Sequence, residues 1–312
     1  MKRKSTVFAV LAAVVAVVTG FGSCAKKADV KPVVVASMID SEGAILGKMM
    51  VLLLEDRKIP VEDRTEFGTP DVLRKALEAG EVSLILDYTG SGQYYHEGGD
   101  PAVWSDPVKG YEMTRTLDAE KHDLHWLTPA NANNTESLAV TRAFSKATGV
   151  KDMPSFAEYV KSGGQVKLIC SQTFADNPLG LIGLEEAYGF KLKKNQLILL
   201  AGGNTAEMLK ALSEGINGVN VSLVYGTDGA IDQMKLLVLD DPENIPPVYL
   251  PAPVLAGARL KEFPEIPGIL KPVFESFTLE ILQGLNARVA YLGEDAGAVA
   301  REYLAGKGFI GK

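Results

Sequence analysis

Three tyrosines, Tyr88, Tyr225 and Tyr249, each stand in a turn-like segment beside an apolar run. A tyrosine offers a flat ring face and a hydroxyl, which suits it to holding a small molecule. Loops on a rigid scaffold carry binding groups, so their shared placement points to a ligand site, against the plainer reading of rings packed at a core edge. Groups for bond-breaking chemistry are missing. The three histidines, His96, His122 and His125, form no HExxH or CxxC-type pattern, and no GxSxG elbow, Walker loop or GxGxxG fingerprint occurs. The sequence therefore predicts no catalytic residue, no metal ligand set and no cofactor.

Those tyrosines must be positioned by strands that alternate with amphipathic helices. Val33–Ala36 reads as a buried strand, followed by a helix from Ser41 to Asp56 with Ile45, Leu46, Met49, Met50 and Leu53 at helical spacing. Thr69 and Pro70 open a helix to Glu78, and strand Val82–Leu86 delivers Asp87-Tyr88-Thr89-Gly90 at its end. Further strands are expected at 125–127, 138–141, 166–170, 196–200, 219–224 and 235–239, with helices between them and a helical tail from Ile266 to Leu304. This alternation predicts an α/β fold with mostly parallel sheets flanked by helices, its ligand lying outside the carboxyl ends of the strands.

Composition agrees with a binding role. The 312 residues are 46% hydrophobic and 23% charged, ordinary for a globular chain and long enough for two domains. Formal charge is −7, and without residues 1–23, which carry three basic residues and no acid, 29 bases face 39 acids for a net −10. No basic block interleaved with aromatics occurs, which argues against a nucleic-acid partner.

Residues 1–23 read as a signal peptide: Lys2-Arg3-Lys4 precede an uncharged apolar run, Val7 to Val18, too short to span a membrane. Gly22-Ser23-Cys24 resembles the lipobox of bacterial lipoproteins, with Phe21 where the strict pattern has leucine. That resemblance implies lipidation at Cys24, a polar tether over 24–32 and attachment to a bacterial membrane on its extracytoplasmic side. The one other cysteine, Cys170, closes an apolar run and reads as a buried thiol, leaving no disulfide.

Seven short motifs, in order from Val33 to Gly308, resemble the osmoprotectant-binding proteins of ABC importers for glycine betaine, choline and related compounds. They are the opening Ser37–Gly47, Asp87-Tyr88-Thr89-Gly90, Asn133-Asn134-Thr135, Ala187-Tyr188-Gly189-Phe190, Ala211–Gly215, Thr227-Asp228-Gly229 and Ala252-Pro253-Val254. The resemblance implies a two-lobed type II periplasmic-binding-protein fold. One lobe would comprise residues 33–134 and 247–312, the other residues 135–246, with ligand in the cleft and permease and ATPase subunits as partners.

In that family a box of tyrosines holds a quaternary ammonium by cation–π attraction. Matched motif by motif, Tyr88, Tyr225 and Tyr249 occupy box positions, and the fourth, after Asn134-Thr135, is Glu136 in place of an aromatic. Where glycine-betaine binders carry an arginine for the ligand carboxylate, this chain has Asn177, and Gly43 replaces the glutamine of the opening motif. Losing a cation and gaining an anion favours a small cationic ligand, choline-like, over glycine betaine. The alternatives are a zwitterionic betaine (glycine betaine, carnitine or ergothioneine) or a surface receptor without a transport role. Ser41, Thr89, Asn134 and Asp228 are further candidates for the pocket edge.

Overall fold

The computed structural model describes residues 31–96, 100–201 and 205–311. The expected signal peptide, most of the tether, Cys24 and the cap at Asn204 lie outside the described residues.

Two five-stranded sheets form the framework. The first has the order β2-β1-β3-β10-β4, from β1 (Val33–Met38), β2 (Val61–Gly68), β3 (Leu84–Tyr88), β4 (Leu124–Trp126) and β10 (Pro251–Ala256). The second has the order β7-β6-β8-β5-β9, from β5 (Glu136–Thr141), β6 (Leu168–Ser171), β7 (Leu197–Leu200), β8 (Val221–Tyr225) and β9 (Leu236–Val238). Each sheet with its helices is a lobe, and the chain passes between them twice, after β4 and after β9.

The sheets are mixed, not mostly parallel as the βα alternation predicts. In the first, β10 runs antiparallel to β3 and β4; in the second, β5 runs antiparallel to β8 and β9. Both reversed strands are the first strand after a crossing. A chain arriving from the other lobe enters its new sheet at the edge where the forward strands end, so it must run the opposite way.

The Ser41–Asp56 helix matches its expected bounds and is capped by the Asp40 carboxylate, which accepts from the Gly43 N–H at 2.9 Å. Its apolar face, Ile45, Leu46, Met49, Met50 and Leu53, is buried with Leu282, Leu285, Val299, Ala300 and Leu304 of helices Leu279–Ala290 and Ala296–Gly306. The tail helices therefore return to cover the first helix, and a separate core, from Leu138 to Leu239, fills the second lobe. Cys170 is buried there, and burial pushes its thiol up to about 12.

Two strands have no counterpart in the sequence reading. β2 is a polar edge strand, VEDRTEFG, without the apolar alternation that marks a strand. β10 contains Pro251 and Pro253, which argue against a central strand because proline has no N–H to give. Here their carbonyls serve instead, accepting from Ala130 N at 2.8 Å and Leu127 N at 2.9 Å.

Candidate ligand-binding cleft

Strand reversal brings the candidate residues to one place. Tyr88 ends β3 and is paired with Pro251, two residues after Tyr249; Tyr225 ends β8 and is paired with Glu136, the first residue of β5. In each lobe a forward strand ends, and a reversed strand begins, at the edge facing the other lobe. Tyr88 and Tyr225 are thus the last residues of strands, not members of loops.

The first-lobe wall is fixed by hydrogen bonds. The Tyr88 hydroxyl donates to Glu42 Oε1 at 2.7 Å, and Glu42 Oε2 accepts from Asn286 Nδ2 at 2.7 Å. Glu42 is 4% exposed; burial pushes its carboxyl up to about 7, opposed by the polar side chains of Thr227, Tyr88 and Asn286 around it. Tyr249 is gripped by the first crossing segment: its N–H donates to Asn133 Oδ1 and its carbonyl accepts from Asn134 N, both at 2.9 Å. Gln93 Nε2 donates to its hydroxyl at 2.5 Å. The ring lies so close to Gly90 that a Cβ there would sit 2.7 Å from Tyr249 Cδ1, which is why this turn takes glycine.

The second-lobe wall is different. Glu136 is 7% exposed, yet among the described residues no hydrogen bond or ion pair reaches its carboxylate, and burial alone pushes it up to about 7. Its neighbours are phenols: burial raises Tyr225 and Tyr249 above the usual tyrosine range, and the Glu136 charge adds to both. The groups whose charges act on Tyr88, Tyr225 and Tyr249 are Glu42, Asp40, Glu136, Asp228 and tyrosine hydroxyls, with no lysine or arginine among them. The residues around the three tyrosines are thus acidic and aromatic, a lining whose chemistry suits a cation when its carboxyls are ionised.

The remaining candidates divide. Asp228 is engaged within its own lobe, accepting from Tyr225 N at 2.8 Å and Thr205 Oγ1 at 2.9 Å, so it sets the turn that carries Tyr225. Burial, opposed by those two donors, pushes its carboxyl up to about 6. Thr89 is buried, its hydroxyl donating to Val248 O and accepting from Leu250 N, both at 3.1 Å; it docks the returning chain. Asn134 Oδ1 accepts from Thr227 Oγ1 at 2.7 Å, tying the crossing to the Tyr225 turn. Asn177 Nδ2 reaches across the cleft to the Tyr94 hydroxyl at 3.3 Å. Ser41 lines a recess of about 260 Å³ with Asp40, Lys48 and Asp295, and none of the three tyrosines lines it.

Four residues not named as site candidates from the sequence enter the site: Glu42, Gln93, Tyr94 and Asn286. Glu42 lies inside the opening motif, and Tyr94, 58% exposed beside Glu136 and Tyr249, follows Tyr88 by six residues. Asn286, on the Leu279–Ala290 helix of the tail, has no local signal. Among the described residues no group of His, Cys, Asp and Glu could hold a metal, and no helix is long and apolar enough to cross a membrane.

Residues 31–306 match the family described as OpuAC, substrate binding domain of ABC-type glycine betaine transport system. The glycine betaine-binding protein YehZ of Escherichia coli (strain K12) is 40% identical over 278 residues, 89% of this chain and 91% of its own length. The solved structure of apo YehZ superposes with a TM-score of 0.75, covering 90% of this chain and all of that one. A crystal structure titled glycine betaine/carnitine/choline ABC transporter shares the fold at 22% identity, with a TM-score of 0.75 over 89% of this chain and 99% of that one. The match over residues 31–306 and the 40% identity to YehZ, on a two-lobed α/β scaffold, make this protein a member of the OpuAC family of ABC-importer substrate-binding proteins, a binding component and not an enzyme.

Proposed function

We propose that the protein captures a small quaternary-ammonium compound between its lobes, choline-like in preference to glycine betaine, and presents it to an ABC permease. Tyr88, Tyr225 and Tyr249 would supply ring faces, each worth up to about 2 kcal/mol to a desolvated cation. Tyr94 and Asn177 would close the cleft rim, with residues 33–134 plus 247–312 and 135–246 as the two moving lobes. Lipid at Cys24 would hold the protein at the extracytoplasmic face of a bacterial membrane.

The observation that carries this reading is Glu136, a nearly buried residue whose carboxylate has neither a hydrogen-bond donor nor a cationic side chain as partner among the described residues. Ionising so desolvated a carboxyl is costly, and a bound trimethylammonium would offset that cost by Coulomb attraction without needing an N–H. A betaine would place a second carboxylate where the chain offers Asn177 and no arginine.

The identity to YehZ, named for glycine betaine, favours a second reading. With its carboxyl near 7, Glu136 in protonated form could donate a hydrogen bond to a betaine carboxylate. Calorimetry with choline and glycine betaine from pH 5.5 to 8.5 separates the two. A permanent cation selects ionised Glu136, so choline should bind about tenfold more tightly at pH 8 than at pH 6. Glu136→Gln should abolish that slope. Tighter binding of glycine betaine, weakening as pH rises, would reject the choline preference and keep the family role.

A further inference from the structure

The buried Glu42 has no role in the ligand contacts proposed above, yet its two oxygens face both the Tyr88 ring and the contact between lobes. One accepts the Tyr88 hydroxyl at 2.7 Å; the other accepts Asn286 Nδ2 at 2.7 Å, and the same nitrogen donates to the Thr227 carbonyl of the second lobe at 2.9 Å. Asn286 Oδ1 is buried without a hydrogen bond, so this amide is held by its nitrogen alone. The contact leaves little slack, since a Cβ on Gly229 would lie 2.2 Å from Ala287 N on the same helix.

We infer that Glu42 is a positioning residue of the cation site: it fixes the Tyr88 ring through its hydroxyl and, through Asn286 and Thr227, sets that ring relative to the second lobe. Tyr88 is 7% exposed and packed with Met38 and Ala252, so the hydroxyl bond fixes the tilt of a ring whose position packing already limits, and cation–π attraction depends on the face meeting the charge. A phenol that donates to a carboxylate also holds more negative charge on its ring, which strengthens that face. Asp40, which caps the same helix, is the charge that acts on Glu42, and among the described residues no lysine or arginine forms a salt bridge with the Glu42 carboxylate. This inference rests on the cation reading of the cleft.

A double-mutant cycle between Glu42→Leu and Tyr88→Phe tests it, with tetramethylammonium as probe and glycine betaine beside it. Wild-type binding of tetramethylammonium tests the cation reading by itself, and the cycle is read on whichever probe the wild type binds. Each single variant should weaken binding about tenfold, and the double variant about tenfold too, because the second change removes a bond already gone. The drop in melting temperature caused by Glu42→Leu should persist in part in the Tyr88→Phe background, through the stranded Asn286 amide, separating support of the fold from support of the ring. A hundredfold loss in the double variant, or unchanged affinity in Glu42→Leu, would overturn the inference. If Glu42→Leu fails to fold, Glu42→Gln, which keeps an acceptor for the Tyr88 hydroxyl, runs the same cycle. Its loss should be about threefold, again absent once Tyr88→Phe is present; an additive loss, or none in either background, rejects the inference.

Discussion

A glutamate from each lobe is nearly buried beside the tyrosines, and the two are provided for in opposite ways. Glu42 of the first lobe and Glu136 of the second are both pushed up to about 7, and burial is the leading cause in both. Glu42 has donors on both oxygens; Glu136 has none among the described residues. Desolvation therefore marks both acids, and only the hydrogen-bond inventory tells them apart. An acid with donors on both oxygens holds its surroundings in place, whereas one without a protein donor leaves its oxygens open to a partner from outside.

The walls differ in the same sense. Tyr249 and Tyr88 of the first wall are fixed at hydroxyl or backbone by Gln93, Asn133, Asn134 and Glu42. Of the second wall, the Tyr225 turn is set through the backbone by Asp228, and Glu136 is held by its strand. On the proposed cation reading, affinity would come from the fixed aromatic first wall and charge selection from Glu136 of the second.

The largest expected effect that could break this contrast is on stability. Glu42→Leu strands the Tyr88 hydroxyl and the Asn286 amide, which should cost about 4 kcal/mol in urea unfolding at pH 7. Glu136→Leu strands nothing and should be neutral or gain about 1 kcal/mol. Similar losses in both would place Glu136 in a structural role.

Next in size is the dependence on pH. Both acids hold protons in the folded state that the unfolded chain, with its ordinary value of 4.5, has already released. Their contribution to stability is therefore greatest below about pH 4.5 and is lost as pH rises through about 7. Between pH 5.5 and 7 each should remove about 2 kcal/mol. Melting curves of ligand-free Glu136→Gln should show the decline reduced by that share, and saturating choline should reduce it in the wild type. An unaltered decline in Glu136→Gln would mean that its carboxyl is not raised.

The smallest effect probes the rigidity of the aromatic wall. Gly90→Ala would push a methyl into the Tyr249 ring. It should weaken ligand binding about tenfold while costing about 1 kcal/mol of stability, in the range of modest overpacking. Unchanged affinity by calorimetry would show that Tyr249 can yield without loss to the site.

Much of this protein was set by local sequence. The Ser41–Asp56 helix follows from apolar spacing and an aspartate before it, and the α/β class follows from strands alternating with helices. Tyr88, Tyr225 and Tyr249 could be singled out because apolar runs lead to them, and family motifs added Glu136. Tertiary structure decided the rest. Whether β5 and β10 run forward or reversed depends on the lobe from which the chain arrives, and β10 was hidden by prolines whose carbonyls, not N–H groups, do the pairing. Glu42 and Asn286 stand 244 residues apart and meet only because the tail helix packs back over the first. Glu42 and Glu136 are the same residue type in sequence; one is satisfied and the other is not because hydrogen bonding and burial are properties of the folded neighbourhood, which no local pattern encodes.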